Sequence, residues 1–420
     1  MVFVIIELRA LSVEINANLT YGGSTMLNKI REKAEELSGR VIEWRHYFHQ
    51  HPEVSWEEFG TTAKIAEILE EMGYSNVRTG VAGLKTGVVA DLNSGRSGKC
   101  ILLRADMDAL PLKEEADVEY KSLNDGVMHA CGHDSHMAML LGAAKLLMDM
   151  KDDIPGKIRL IFQPAEESSQ KSGADTMVKE GVLEGVDAAF GLHIWSPVPS
   201  GMVVYTRGPI MASADAFFVK IQGKGGHGAM PHLGVDPTIA ACQTVMSLQT
   251  ILSREIDPLD SAVISTGEIK AGNAFNIIPD TVTMNGTVRA FDPSTREYIA
   301  GRIEEIVKDT CRSLRCVPEF TYKYNLPSTI NDPDFADLAA NTVTEMFGKE
   351  NVYETKPTMG AEDFSFILRQ VPGAFMFLGT GNPEKKTDYP HHHPMFKVDD
   401  EVLVTGVATL AGVALQYLDK

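Results

Sequence analysis

The stretch VMHACGHDSHM, residues 127–137, holds three histidines, a cysteine and an aspartate in eleven positions. Imidazole, thiolate and carboxylate hold divalent transition metals, and such an ion needs several of them converging from different parts of the backbone. Cys131 and His133 stand two apart, a spacing that an extended or turning segment presents on one side. More donors follow: Glu166 and Glu167 close IRLIFQPAEE, His193 closes DAAFGLH, and YPHHHPMF carries His391, His392 and His393. The adjacent glutamates are the most telling. Two neighbouring carboxylates at a buried strand end repel, so a cation belongs nearby or one of them stays protonated. One carboxylate anchoring an ion while its neighbour takes a proton from an activated water gives both a purpose. Taken singly, each motif has a plainer reading: a Glu-Glu pair is usually solvated surface charge, and a lone histidine is usually structural. Their joint occurrence at the ends of predicted elements favours a metal centre.

Those donors need a scaffold. From 26 to about 208, helical patterns alternate with short, dense apolar runs. TGVVADL, KCILLRADMDALP, GKIRLIFQPAEE and DAAFGLHIW read as buried strands, and EFGTTAKIAEILEEMGY reads as a helix. HMAMLLGAAKLLMDM is a strongly apolar helix, with Asp134 and Ser135 as cap candidates. The alternation predicts an α/β fold around a largely buried sheet, with ligands gathered at the carboxyl ends of its strands. Asp106, Asp108, Glu166, Glu167 and His193 each end an apolar run. After RGPIMASADAF the pattern changes to strand, helix, two strands, helix, strand, the split-βαβ order of a small α+β (ferredoxin-like) module. The expected organisation is therefore two domains. Residues 26–211 and 326–420 form a catalytic, metal-binding α/β sheet domain, and 212–325 form an inserted lid or dimerisation domain. Residues 1–25 are an N-terminal appendage of unknown role.

At 420 residues the chain exceeds one ordinary core, which agrees with two domains. A formal net charge of -18 argues against nucleic acid or an anionic membrane as partner. No apolar run is expected to reach the length of a membrane span, and the start lacks a basic leader with a small-residue cleavage pattern. Five scattered cysteines fit reduced thiols, so a cytoplasmic location is expected.

RADMDALP, MHACGHDSHMAMLLGAA, IFQPAEE, GLHIW, GKGGHGAMPHLGVDP, FNIIPD, MGAEDFS and HHHPMFKVDDE occur in that order. Together they resemble the M20 metallopeptidase family. More narrowly, they resemble its amidohydrolase branch of N-acyl-amino-acid, hippurate and indole-acetyl-amino-acid hydrolases. The resemblance runs from about Met26 to the C-terminus. It implies two divalent ions per subunit, zinc or manganese, with cobalt or nickel as further options. The implied metal ligands are Cys131, His133, Glu167, His193 and His392, with Cys131 shared between the ions. His392-His393-Pro394-Met395-Phe396 fits the branch frame, and His391 and His393 are the competing registers. The resemblance makes Glu166 the general base, and makes Asp108 the carboxylate that orients a ligand imidazole. Asp106 falls where more distant members carry a histidine ligand, and a structural position is expected for it.

His227, alone, would be a turn residue; the resemblance makes it a catalytic group that enters from a partner subunit and steadies the oxyanion. Asn276 and Arg289 are candidate substrate contacts, although Arg289 could equally pair with a carboxylate inside the sheet. Gly360 and Glu362 are expected to line the same cleft. The implied activity is hydrolysis of the amide bond of a small N-acyl or aryl-acyl amino acid, in a homodimer or higher homo-oligomer built through the inserted domain. Two alternatives stay open: a metallo-carboxypeptidase or dipeptidase acting on short peptides, and a non-catalytic metal-binding or partner-binding protein on the same scaffold.

Overall fold

A computed structural model describes residues 23–80, 85–168 and 170–420. Most of the expected appendage, 1–22, lies outside the described residues, and its last three residues belong to the helix Gly23–Gln50. The largest sheet has eight strands. In spatial order they are Val77–Thr79, Val88–Asn93, Lys157–Gln163, Cys100–Asp106, Ala188–Pro199, Gly373–Gly381, Val203–Tyr205 and Val352–Glu354. Cys100–Asp106 is buried at every position and pairs in parallel with both Lys157–Gln163 and Ala188–Pro199. A strand covered on both faces has no polar side to show, which is why its sequence is nearly all apolar. Asp106 lies opposite Gln163 in this register, so the two strands exit side by side and bring Asp108 next to the Glu166-Glu167 turn.

The helices Gly23–Gln50, His133–Asp149 and Leu403–Leu418 pack on one another over one face of this sheet. Their approach is close because of glycine. A Cβ at Gly142 would stand 2.6 Å from Val407 and 3.0 Å from Val41. The helix His133–Asp149 is buried along almost its whole length, so its position is fixed by packing on all sides. Its cap differs from the expectation. Gly132 is the N-cap, at φ 93°, with no side-chain cap bond. Asp134 is instead drawn inward, accepting hydrogen bonds from Arg45 Nε at 3.0 Å and from His49 Nδ1 at 2.8 Å. A buried carboxylate needs such partners more than a helix end needs a cap.

One further expectation fails by length alone. Asp400–Leu418 is long and apolar enough to cross a membrane, yet 67% of that window is buried inside the protein, as a core helix requires.

Residues 214–326 hold a second, antiparallel sheet with strand order Ala262–Ala271, Thr281–Ala290, Ala214–Gln222, Val317–Leu326. The helices Pro237–Thr250 and Pro293–Ser313 pack against it over a core that includes Phe217, Ile221, Leu248 and Ile303. Asp236 and Asp292 cap them, accepting from Thr238 N and Thr295 N. At the base of this unit, Asp215 is buried and accepts from Arg296, Tyr322 and Asn325, which ties both connecting strands together.

Candidate metal centre

The centre is built where the strands Cys100–Asp106, Lys157–Gln163 and Ala188–Pro199 meet the start of the helix His133–Asp149. Gly132 makes the turn between Cys131 and His133. Its left-handed backbone, φ 93°, suits glycine. The thiol of Cys131, a ring nitrogen of His133 and a carboxylate oxygen of Glu167 lie within 4.8 Å of one another. Nitrogens of His133 and His193 belong to a second group of the same tightness, and Cys131 Sγ is 3.5 Å from His193 Nε2.

Hydrogen bonds decide which nitrogen each ring offers. His133 Nδ1 donates to the Asp108 carbonyl at 2.8 Å, leaving Nε2 buried without a hydrogen-bond partner. His193 Nδ1 donates to the Ile194 carbonyl at 2.5 Å, which frees its Nε2 toward Cys131. An orphaned buried imidazole nitrogen facing a thiol and a carboxylate is what a metal ligand looks like without its ion. Burial and the charges of Glu167, Glu166 and Asp106 push the Cys131 thiol well up. The donor set thus carries excess negative character that a divalent cation would neutralise.

Among the three late histidines, two have a ring nitrogen engaged by a backbone amide, and His391 keeps its Nδ1 buried without a hydrogen-bond partner. His391 Nε2 accepts from Ser196 N at 3.2 Å, and His393 Nδ1 accepts from Met395 N at 3.0 Å while its ring stacks on Tyr389. His392 turns through a left-handed backbone, φ 63°, and places Nε2 3.0 Å from Glu167 Oε1. Its amide donates to the Ala130 carbonyl at 2.9 Å, tying this loop to the Cys131 turn.

Asp106 and His136 also lie in the cluster, but both are spoken for. His136 Nδ1 donates to Asp106 Oδ1 at 2.5 Å, and His136 Nε2 accepts from Ile194 N at 2.8 Å. Burial alone would raise the Asp106 carboxyl; Arg104, His133 and His136 overcome that and hold it well below the usual carboxylate range.

Asp108 does more than face an imidazole. Its two oxygens accept from Glu166 N at 3.1 Å and Glu167 N at 3.0 Å, and Ser55 Oγ donates to it at 2.6 Å. It therefore sets the backbone of the glutamate pair. Ala165, just before that pair, has φ 54°, and its amide donates to Glu58 at 2.9 Å. A left-handed alanine is strain that surrounding bonds must hold.

Glu166 Oε2 is 4.0 Å from His133 Nε2. Burial, then Glu362 and Glu167, push its carboxyl well up, the condition of a group able to take and return a proton. Beneath it, carboxylate oxygens of Glu166, Glu362 and Asp363 gather within 4.8 Å. Arg104, fully buried, donates to Glu362 at 2.7 Å, Asp363 at 3.1 Å and Asp106 at 2.7 Å. Burial and Asp363 push Glu362 up to about 8, against the pull of Arg104. Sequence reasoning missed Arg104 and Asp363. The available signal was a charged residue inside the apolar run CILLRAD.

The remaining sequence candidates stand elsewhere. His227 and Asn276 are exposed on paired turns of the four-stranded unit, with Gly228 N donating to the Asn276 carbonyl at 2.8 Å and Ala229 N to His227 Nδ1 at 3.0 Å. Neither reaches a donor of the centre by hydrogen bond within one chain. Arg289 is half-buried; it donates to Thr287 Oγ1 and to the Val288 carbonyl, and among the described residues no carboxylate is in ion-pair range. Gly360 accepts from Ala212 N at 2.9 Å, and a Cβ there would meet Met211 at 2.9 Å.

Residues 102–416 match the model of peptidase family M20/M25/M40. A "Thermostable carboxypeptidase 2" of Saccharolobus solfataricus is 42% identical over 396 residues, covering 94% of this chain and 100% of that protein. An "N-acetyl-L-cysteine deacetylase" of Bacillus subtilis is 40% identical over 384 residues, 91% of this chain and 89% of that one. Among solved structures, a dinuclear metal binding peptidase of Bacillus subtilis superposes with a TM-score of 0.80 at 34% identity, over 92% of this chain and 99% of its own.

Proposed function

The chain belongs to peptidase family M20/M25/M40, and on that premise we propose that this hydrolase of amide bonds acts on N-acyl or aryl-acyl amino acids, releasing a carboxylic acid and a free amino acid. Cys131, His133, Glu167, His193 and His392 would hold two divalent ions, zinc ahead of manganese, because thiolate and imidazole suit it. When bound, such ions polarise a carbonyl and make water a better nucleophile. The chain's own residues do the rest. Glu166 accepts the proton of the attacking water and returns it to the leaving nitrogen, and Asp108 holds the backbone that aims it. Arg104 holds Glu362 and Asp363 in place below Glu166.

One observation carries the hydrolytic reading over mere metal binding: Glu166 stands beside the donor set without being needed as a donor. His227, Asn276, Arg289 and Gly360 remain substrate-side candidates. Their place on or beside the four-stranded unit suits a ferredoxin-like lid or dimerisation domain, with His227 and Asn276 facing a partner's centre. The deacetylase relative supports acyl-capped substrates, and the carboxypeptidase relative favours the second reading, cleavage of short peptides.

Side-by-side assay of acetyl, benzoyl and indole-acetyl amino acids against unblocked di- and tripeptides, with defined added metals, separates the two. Higher kcat/KM on the acylated series is expected. A preference for free-amine peptides overturns the substrate assignment, and activity that survives exhaustive chelation overturns the metal-dependent mechanism.

A further inference from the structure

His391 Nε2 is engaged by a backbone amide while its Nδ1 is buried without a hydrogen-bond partner, and the ring touches two of the segments that carry the proposed donors. Its ring is half-buried, stacks on Trp195 at 4.8 Å and 27°, meets Phe396 at 4.8 Å and stands 5.4 Å from the His193 ring. Its Nε2 accepts the Ser196 amide at 3.2 Å. Trp195 and Ser196 follow His193 on one strand, whereas His391 immediately precedes His392 on a loop from the far end of the chain. The side chain therefore bridges the strand carrying one donor to the loop carrying another.

The neighbouring geometry shows why a bridge is needed. His392 sits in the left-handed region that non-glycine residues avoid, and its side chain is 53% exposed, so burial does little to hold it. The fixed points nearest to it are the His392 amide on the Ala130 carbonyl and the His391 ring on Ser196, with Glu115 N donating to the Pro394 carbonyl further along the loop. From this we infer that His391 is a positioning residue: by accepting the Ser196 amide inside an aromatic stack, it holds His392 beside Glu167, where the two would share an ion. The role rests on the assignment of His392 as ligand and goes beyond it.

The test is zinc binding by metal-free protein, measured by competition with a chromophoric chelator, alongside the unfolding temperature of the same samples. His391→Phe keeps a ring in the stack and removes the acceptor. It is expected to weaken one of two zinc ions by about 10- to 100-fold, the range for a group supporting a ligand, with stoichiometry unchanged. His391→Gln restores an acceptor near the Nε2 position and is expected to recover most of that affinity. His391→Phe binding both ions as tightly as the native chain overturns the inference, as does an equal loss in His391→Gln. His392→Ala tests the underlying assignment separately, since it should lose one ion outright. If His392→Ala keeps both ions at full affinity while His391→Ala loses one, then His391 is the ligand and the assignment itself fails.

Discussion

Glu167 and His392, far apart along the chain, meet with 3.0 Å between carboxylate oxygen and imidazole nitrogen. With Cys131, His133 and His193 close by, this contact closes a ring of donors around a space fit for cations. Each partner is held by backbone bonds on its far side: Glu167 through Asp108, His392 through Ala130.

Replacing Glu166 separates chemistry from metal binding. Glu166→Gln keeps the shape and loses the proton acceptor, so turnover should fall on the order of a hundred- to ten-thousand-fold. Metal content by elemental mass spectrometry should stay native. Unchanged turnover at native metal content removes Glu166 from the mechanism.

Asp108 should act through its neighbours. In Asp108→Asn one acceptor facing the Glu166 and Glu167 amides becomes a donor, and the backbone of the pair must shift. Zinc affinity is expected to drop about 10- to 100-fold while the protein stays folded by circular dichroism. Native affinity in this variant means the two amide bonds do not set the ligand.

Glu58 gives a pH signature in the metal-free protein. Burial, with Asp108 nearby, pushes its carboxyl up to about 7 from an ordinary 4.5. The folded state thus holds this proton more tightly than the unfolded chain. That contribution is fully present below pH 4.5 and is lost as pH rises through 7. Glu58→Gln cannot ionise, so its stability relative to native should improve between pH 5 and pH 8, by up to ~3 kcal/mol. Urea unfolding at both pH values measures it; parallel pH profiles for the two proteins contradict it.

Gly142 tests the helix packing behind the centre. Gly142→Ala forces a methyl group against Val407 and Val41, which should cost about 1–3 kcal/mol. Thermal unfolding reads the loss. An unshifted midpoint means the helices part more easily than their burial implies.

Much of this was legible in sequence because the strands are dense and the donors end them. Cys100–Asp106 and Lys157–Gln163 stand out by apolar runs, and their parallel register explains why Asp108 and Glu166 become neighbours. What was not legible depends on partners remote in the chain. His193 was expected at a strand end, but the strand continues to Pro199 because Gly373–Gly381 offers it a longer parallel edge. Asp134 looked like a cap until Arg45 and His49, from another helix, claimed it. Arg104 passed as part of a strand because two of its three carboxylate partners, the adjacent Glu362 and Asp363, come from a distant part of the chain. Which late histidine is free depends on Ser196 and Met395 amides, and no local spacing reveals that.

The order of the donors has a consequence during synthesis. Cys131, His133, Glu167 and His193 leave the ribosome long before His392, which follows the whole of the four-stranded unit. A product ending before this loop would therefore lack the His392 imidazole that meets Glu167.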